Sequence, residues 1–215
     1  MIFEKFSRIG IIPVVVLDDP KDAAPIAEVL SKNGLPCAEI AFRTPAAEEA
    51  TRIMSREFPD MLIGAGTILT TDQADIAMNA GAKFIASPGL NPKIVQYSID
   101  NSIPVIPGTQ TPSEMEQALE LGLKVVKFFP AEQAGGLKMI KAVSKAFTDL
   151  KFMPTGGLNA SNVKDYLMYN RIIACCGSWL IKRSLVAAGE WAKINALVKD
   201  AVAIVKTVRG TGEKR

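Results

Sequence analysis

The chain has 215 residues, of which 48% are hydrophobic and 22% are charged, with a formal net charge of +3 and a pI of about 8.7. This composition favours one globular domain over residues 1–215, although two small domains would also fit, and the dispersed charges indicate no nucleic-acid partner. Histidine is absent from the sequence, which excludes Ser–His and Cys–His nucleophilic pairs and zinc sites built on imidazole.

Short runs rich in valine, isoleucine and phenylalanine alternate with longer amphipathic runs along the chain. The eight predicted strands cover residues 11–17, 37–42, 62–65, 84–86, 105–106, 125–129, 152–155 and 172–175. This alternation predicts an α/β fold, a single-domain (β/α)8 TIM barrel with an N-terminal lead segment. The alternative is an open doubly wound sheet, but no predicted strand end carries a complete Gly-x-Gly-x-x-Gly motif.

Start and stop signals bound several of the amphipathic runs. Residues 111–114 read Thr-Pro-Ser-Glu, which is a capping box with proline at the first helical position. Thr70 has the same box spacing to Gln73, and Asn91 precedes a proline. Glycines stand where helices are expected to end, at Gly34, Gly81 and Gly122.

Features of the termini and the cysteines bear on location. The N-terminal apolar run over residues 9–17 is too short to span a bilayer, and no signal-peptide pattern precedes it. Cys37, Cys175 and Cys176 lie in apolar runs, which is typical of core residues in a reducing compartment. We therefore expect a cytoplasmic protein with no membrane partner, and a flexible basic tail over residues 209–215.

Lys127 lies in the middle of an apolar predicted strand, in the run Val-Val-Lys-Phe-Phe. Lysines are almost never fully buried without a partner, and dry surroundings favour the neutral amine, which attacks carbonyl groups. We expect Phe129 to form a dry wall beside this amine. The alternative is a lysine whose stem is buried and whose tip reaches water.

Polar residues at the carboxyl ends of the predicted strands mark the expected active site, because parallel barrels place their active sites there. By strand alternation Glu39 and Arg43 face the lumen of the barrel, and so does Lys127 on the opposing sixth strand. Glu39 and Lys127 are therefore expected to meet across the barrel mouth, either as a catalytic pair or as a structural salt bridge. The planar fork of Arg43 suits a substrate carboxylate, or equally a bridging charge at the rim.

The last two predicted strands end in small residues that indicate a phosphate cradle. The seventh strand ends in Thr155, Gly156 and Gly157, and the eighth is followed by Gly177 and Ser178. Glycines let backbone N–H groups approach an anion, and barrels often hold phosphate in these two loops. The alternative is that these glycines serve only tight turns.

Six short segments carry a family resemblance. They are Glu-Ile-Ala-Phe-Arg-Thr at 39–44, Gly-Ala-Gly-Thr at 64–67, Ser-Pro-Gly-Leu at 87–90, Lys-Phe-Phe-Pro-Ala-Glu at 127–132, Pro-Thr-Gly-Gly at 154–157 and Gly-Ser-Trp at 177–179. In these segments, which run in order across nearly the whole chain, the sequence resembles the 2-dehydro-3-deoxy-6-phosphogluconate (KDPG) aldolase and 4-hydroxy-2-oxoglutarate (KHG) aldolase family. The resemblance implies a homotrimeric barrel aldolase that uses no metal and no cofactor.

The resemblance also implies an activity on small phosphorylated keto acids. KDPG would be cleaved to pyruvate and glyceraldehyde 3-phosphate, and KHG to pyruvate and glyoxylate. Lys127 would form the Schiff base, and Glu39 would act as the general acid and base. The implied binding residues are Arg43 and Thr67 for the pyruvate carboxylate, Pro88 and Phe129 for the substrate pocket, Thr155 for stereochemical choice, and Gly156, Gly157, Gly177 and Ser178 for the phosphate.

One departure from the family pattern and three alternative activities accompany this resemblance. Some relatives carry an arginine directly after the first strand, where this chain has Leu17, Asp18 and Asp19. The alternatives are the same lysine chemistry on the phosphogalactonate stereoisomer, a non-covalent sugar-phosphate epimerase or isomerase, and a non-catalytic barrel that binds a phosphorylated ligand.

Overall fold

A computed structural model describes residues 2–210. Its helices are α1 (Ile2–Ile9), α2 (Ala23–Lys32), α3 (Ala47–Glu57), α4 (Thr71–Asn79), α5 (Pro92–Asp100), α6 (Pro112–Glu120), α7 (Gly136–Val143), α8 (Val163–Leu167), α9 (Arg183–Ala187) and α10 (Trp191–Arg209), with a short 3-10 helix at Pro20–Asp22. Its strands are β1 (Ile11–Val15), β2 (Cys37–Ala41), β3 (Leu62–Gly66), β4 (Ile85–Ala86), β5 (Val105–Ile106), β6 (Gly108–Thr109), β7 (Val125–Phe128), β8 (Lys151–Pro154) and β9 (Cys175–Gly177).

The strands run parallel and close into a barrel. Hydrogen-bonded neighbours follow the order β5-β4-β3-β2-β1-β9 and, separately, β6-β7-β8. Because Pro107 alone separates β5 from β6, these two short strands fill one barrel position, with β5 pairing to β4 and β6 to β7. Isolated bridges between Phe152 and Ile172 and between Thr155 and Cys176 join β8 to the β9 segment and complete the ring. The predicted barrel is confirmed, and the open doubly wound sheet is wrong.

The eighth predicted strand is displaced along the chain. The prediction covered residues 172–175, whereas β9 spans Cys175–Gly177 and pairs with the start of β1, Cys175 opposite Ile11. Ile172, Ile173 and Ala174 are buried apolar residues. An apolar run therefore identified the right segment, but its composition does not define where pairing with β1 begins.

Alternating side chains divide the core into a lumen and an outer layer beneath the helices. Val125 packs in the lumen cluster, whereas Val126 and Phe128 belong to the outer cluster. The adjacent cysteines follow the same rule, with Cys176 in the lumen and Cys175 outside it. The predicted alternation is confirmed, and it decides which polar side chains face the barrel mouth.

The predicted lead segment forms α1, which contributes to the lumen cluster. Phe6 on α1 is fully buried and meets Phe84 edge-on, with ring centroids 5.0 Å apart and an interplanar angle of 84°. An edge-to-face aromatic pair of this kind adds stability beyond the area that it buries. The aromatic pair thus helps to fill the core, whereas the polar residues of interest lie at the opposite strand ends.

The predicted helix boundaries agree with the structure. Thr111 and Glu114 form a reciprocal capping box, and the side chains of Thr70 and Asn91 also accept bonds from the first turns of their helices. Glycines with positive φ follow three of the helix ends, at Gly34, Gly81 and Gly122. Only glycine adopts that backbone conformation without a steric cost.

The C-terminal helix packs back onto the barrel. Arg209 ends α10 and donates hydrogen bonds to the carbonyl groups of Ser7 and Ile173. The flexibility predicted for the tail lies, from residue 211 onward, outside the described residues. Over residues 2–210, no helix combines the length and apolar character needed to cross a membrane.

Candidate active site

Lys127 on β7 and Glu39 on β2 meet inside the mouth of the barrel. Nζ of Lys127 donates hydrogen bonds of 2.8 and 3.0 Å to the two carboxylate oxygens of Glu39. Both residues are buried, with 4% and 3% of their surfaces exposed. The predicted contact between opposing strands is confirmed, and the amine is enclosed with its partner instead of reaching water.

Gly66 on β3 leaves the space that the Glu39 carboxylate occupies. A β-carbon added at Gly66 would lie 2.2 Å from Oε1 and 2.7 Å from Cδ of Glu39. Any larger residue would therefore displace the carboxylate from Lys127. The sequence singled out this glycine only as a member of the Gly-Ala-Gly-Thr segment at 64–67 and assigned it no role. Its steric role depends on the pairing of β2 with β3, which sets Ala41 opposite Gly66.

Arg43 and Thr67 follow β2 and β3 and touch at the barrel rim. Nε of Arg43 donates a 3.0 Å hydrogen bond to Oγ1 of Thr67. Thr67 has a φ of 60°, in the left-handed region that β-branched residues rarely adopt, and such strain clusters at functional sites. Arg43 is exposed, so its remaining guanidinium donors face solvent and suit a planar anion such as a carboxylate.

Pro88 and Phe129 follow the ends of β4 and β7, the strand that holds Lys127. The carbonyl oxygen of Pro88 would be 1.9 Å from a β-carbon added at Gly108, and Gly108 pairs with Lys127 between β6 and β7. Phe129 directly follows β7, is half-buried, and precedes a proline through a cis peptide bond. Phe129 thus lies two residues beyond the lysine, and Pro88 lies against the register partner of the lysine; their roles as pocket walls stay predictions.

The loop after β8 packs against the loop after β7. The amide of Glu132 donates to the carbonyl of Gly156 at 3.1 Å, and the amide of Ala131 donates to that of Thr155 at 2.8 Å. Gly156 and Gly157 have φ values of 102° and 78°, a conformation that a larger residue adopts only with strain. These glycines therefore serve the turn itself, and the phosphate role predicted for them stays a prediction.

The end of β9 borders a cavity of about 550 Å³. Gly177 ends the strand and is buried, whereas Ser178 is exposed and lines the cavity together with Arg43 and Val14. Val14 on β1 is the register partner of Glu39. The cavity thus spans the ends of β2, β1 and β9, adjoining the strand position that holds the catalytic candidate Glu39.

An ion pair at the edge of this cavity was not predicted. Nε and Nη2 of Arg183 donate to the two carboxylate oxygens of Asp18. The guanidinium holds the pKa of Asp18 below its ordinary value of 3.8, and the carboxylate raises the pKa of Arg183. The partners lie far apart in the sequence, so no local signal could have paired them.

Cys176 lies in the lumen near the lysine. Burial raises the pKa of its thiol to about 12, although Lys127 and a hydrogen bond from Thr155 act in the opposite direction. Burial also raises the pKa of Cys37. Because the thiolate is the nucleophilic form, these cysteines are inert at neutral pH, which agrees with their predicted role in the core. Among residues 2–210, no cluster of three or more cysteine, aspartate or glutamate side chains is placed to hold a metal ion.

The fold and this site define a class of protein: an α/β-barrel enzyme with a lysine and a carboxylate enclosed at its mouth. An enclosed amine in contact with a proton acceptor suits Schiff-base chemistry on a carbonyl compound. The exposed guanidinium of Arg43 and the neighbouring cavity offer binding sites for the anionic ends of such a compound.

Comparison with known proteins identifies the family. The family model for KDPG and KHG aldolase matches residues 2–197. A 2-dehydro-3-deoxy-phosphogluconate aldolase of Haemophilus influenzae is 46% identical over 205 residues, which cover 95% of this chain and 97% of that protein. The chain therefore belongs to the KDPG and KHG aldolase family.

Two solved structures share the fold closely. KDPG aldolase from Legionella pneumophila, with pyruvate captured as a covalent carbinolamine intermediate, has a TM-score of 0.87 and 38% identity, covering 90% of this chain and 94% of that chain. The 2-keto-3-deoxy-6-phosphogluconate aldolase of Zymomonas mobilis, with 3-phosphoglycerate, has a TM-score of 0.87 and 38% identity, covering 94% of this chain and 95% of that chain.

Proposed function

We propose that this chain is a Schiff-base aldolase that cleaves KDPG to pyruvate and glyceraldehyde 3-phosphate, and also KHG to pyruvate and glyoxylate. The observation that carries the proposal is the enclosed amine of Lys127, hydrogen-bonded to both oxygens of Glu39 at 2.8 and 3.0 Å. The membership of the KDPG and KHG aldolase family supports the choice of substrates. The carbinolamine captured in the Legionella relative supports covalent chemistry on pyruvate.

The first stage is imine formation. Transfer of one proton from Nζ of Lys127 to Glu39 leaves a neutral amine, which attacks the keto carbon of the substrate. The carbinolamine takes a proton and loses water, and the product is a protonated imine. We assign that proton to Glu39, and its hydrogen bonds to Nζ of Lys127 support the assignment.

The second stage is carbon–carbon cleavage. Glu39, directly or through one water molecule, removes the proton from the hydroxyl group one carbon beyond the bond that breaks. The bonding electrons flow into the imine and form an enamine, and the aldehyde leaves. The enamine carbon then takes a proton from Glu39, and hydrolysis of the resulting imine releases pyruvate and restores the amine.

Binding residues at the rim orient the substrate. Arg43 and Thr67 hold the carboxylate next to the keto group, with Pro88 and Phe129 as walls. Thr155 contacts the aldol carbons and sets their stereochemistry. The backbone of Gly156, Gly157, Gly177 and Ser178 receives the phosphate. Fixing the reacting carbon against the amine in this way can contribute on the order of 7–11 kcal/mol to catalysis.

Turnover of purified variants tests the proposal, with pyruvate release measured in a coupled assay on KDPG, its galactonate stereoisomer and KHG. Lys127→Met should abolish turnover, whereas Lys124→Met, an exposed lysine just before β7, should keep it. A buried Glu39 without its partner destabilises the fold by about 3–5 kcal/mol. The double variant with Glu39→Gln, which removes the unpaired charge, therefore serves as the folded control. Turnover in either Lys127 variant contradicts the proposal.

Glu39→Gln alone separates the two stages. Its amide cannot take up a proton, so kcat should fall about 100- to 10,000-fold, the range measured for general acid–base groups. Borohydride should still trap pyruvate on the enzyme, although more slowly, because the amine remains and water can replace Glu39 in the proton transfers of imine formation. A near-normal kcat would remove Glu39 from the mechanism.

We further propose a homotrimer located in the cytoplasm. The family resemblance supports the trimer, and the three buried cysteines with free thiols are consistent with a reducing compartment. Light scattering of the purified protein measures the subunit count, and a monomer or dimer would contradict the first proposal.

A further inference from the structure

The cavity beside Glu39 is lined by cations at two ends. Arg43 follows β2, whereas Ser178, Lys182 and Arg183 follow β9, and β1 lies between these two strands. Among the described residues that line the cavity, none is an aspartate or glutamate. A cavity of this charge attracts anions, and it is large enough for a substrate with two charged ends.

Arg183 is oriented by a carboxylate from another loop. Asp18, which follows β1, accepts from Nε and Nη2 of Arg183. This contact uses one edge of the guanidinium and leaves Nη1 as a donor beyond the pair. Such a fork fixes the plane of an otherwise flexible side chain, so less rotational freedom is lost when the free edge binds a ligand.

We propose that Arg183, positioned by Asp18, is a specificity-determining residue that binds the phosphate end of the substrate. This inference rests on the proposed function, in which Arg43 holds the carboxylate end. Asp18 offsets one of the two remaining charges, so Lys182 and Arg183 leave one net positive charge at this end, which attracts an anionic group such as a phosphate. Arg183 donates through Nη1 while Asp18 keeps its other edge, and the flexible ammonium of Lys182 contributes as a point charge.

Binding and kinetics of Arg183→Ala test the inference. Charge-assisted hydrogen bonds of this kind are worth about a 10- to 100-fold change in affinity. The Kd of 3-phosphoglycerate, measured by titration calorimetry, and the KM for KDPG should each rise by that factor. KHG carries no phosphate, so the ratio of kcat/KM for KDPG to that for KHG should fall about 10- to 100-fold as well.

Two further variants and one control sharpen the test. Arg183→Lys keeps the charge but loses the fork, so its losses should lie between those of the wild type and Arg183→Ala. Asp18→Asn should raise the KM for KDPG by a smaller factor than Arg183→Ala does. The double variant should have the same KM as Arg183→Ala alone, because Asp18 acts through Arg183. Arg56→Ala removes an exposed arginine at the end of α3 that bonds Glu57 and does not line the cavity. This control should match the wild type on both substrates.

The outcomes separate this inference from the proposed function. Equal losses on KDPG and KHG, or a Kd for 3-phosphoglycerate in Arg183→Ala equal to that in Arg56→Ala, would overturn the role of Arg183. Wild-type protein that binds 3-phosphoglycerate through Arg183 yet forms no borohydride adduct with pyruvate would refute the aldolase mechanism and leave the phosphate role standing.

Discussion

Gly66→Ala perturbs the central pair without touching either of its members. The new β-carbon would lie 2.2 Å from Oε1 of Glu39, and 2.7 Å from both Cδ and Cγ, whereas ordinary contacts begin near 3.4 Å. The carboxylate oxygen must therefore move by about 1.2 Å, a value obtained from these two distances. All three of these nearest atoms belong to Glu39, so the strain falls on that side chain.

The expected effect is a large loss of activity in a folded protein. A misplacement of about 1 Å in a catalytic group costs on the order of 100-fold in rate, so kcat should fall by about that factor. Overpacking in a core costs about 1–3 kcal/mol, which a melting curve will show as a moderate shift in Tm. Backbone strain should not contribute, because Gly66 is not among the residues with positive φ.

Two controls show whether the effect passes through Glu39. A β-carbon added at Gly89 meets nothing within 4 Å, so Gly89→Ala should behave like the wild type in the coupled pyruvate assay. In Glu39→Ala the obstructed carboxylate is gone, so adding Gly66→Ala should lower kcat by no more than roughly twofold further. If Gly66→Ala alone keeps at least half of the wild-type kcat, or if the losses in kcat of the two substitutions multiply, Gly66 does not act through Glu39.

Three other predictions concern stability. The pKa of the Cys176 thiol is about 12 in the folded protein and 9.0 in the unfolded chain. Above pH 9 the unfolded chain therefore binds fewer protons than the folded protein, and the free energy of unfolding falls as pH rises. Between pH 9 and 11, urea denaturation should show that the free energy of unfolding falls by about 2 kcal/mol more in the wild type than in Cys176→Ala. An equal fall in both proteins would contradict the raised pKa of this thiol. Thr111→Ala removes the capping box with Glu114 and should cost about 1 kcal/mol by the same method; an unchanged midpoint would count against that cap. Phe6→Ala opens a cavity against Phe84 and should lower the free energy of unfolding by about 3–5 kcal/mol. Below the Tm of this variant, kcat should stay at the wild-type level. A large drop in kcat would mean that α1 also shapes the site.

Periodicity and strand parity were sufficient to predict the barrel and its polar mouth. Alternation along β2 and β7 placed Glu39 and Lys127 in the lumen on opposing strands, and the two side chains do meet there. Apolar composition was less informative about β9, because Ile172 to Ala174 are as buried as the strand residues that follow them. Where a strand begins depends on its partner, and the sequence does not contain that register.

The parts of the site that the sequence did not reveal depend on contacts between distant segments. Gly66 matters because the pairing of β2 with β3 brings it against Glu39. Asp18 and Arg183 matter because the ends of β1 and β9 are neighbours in the sheet. Neither relation has a local pattern, since a glycine in a strand and a charged residue in a loop are common features with many explanations.

Locating the covalent adduct tests whether Lys127 is the Schiff-base lysine. The wild-type protein is incubated with pyruvate and borohydride, digested, and mapped by mass spectrometry. We expect a single reduced pyruvyl group on the peptide that contains Lys127, and none in Lys127→Met. An adduct on another lysine, or none at all in active enzyme, would contradict this role of Lys127.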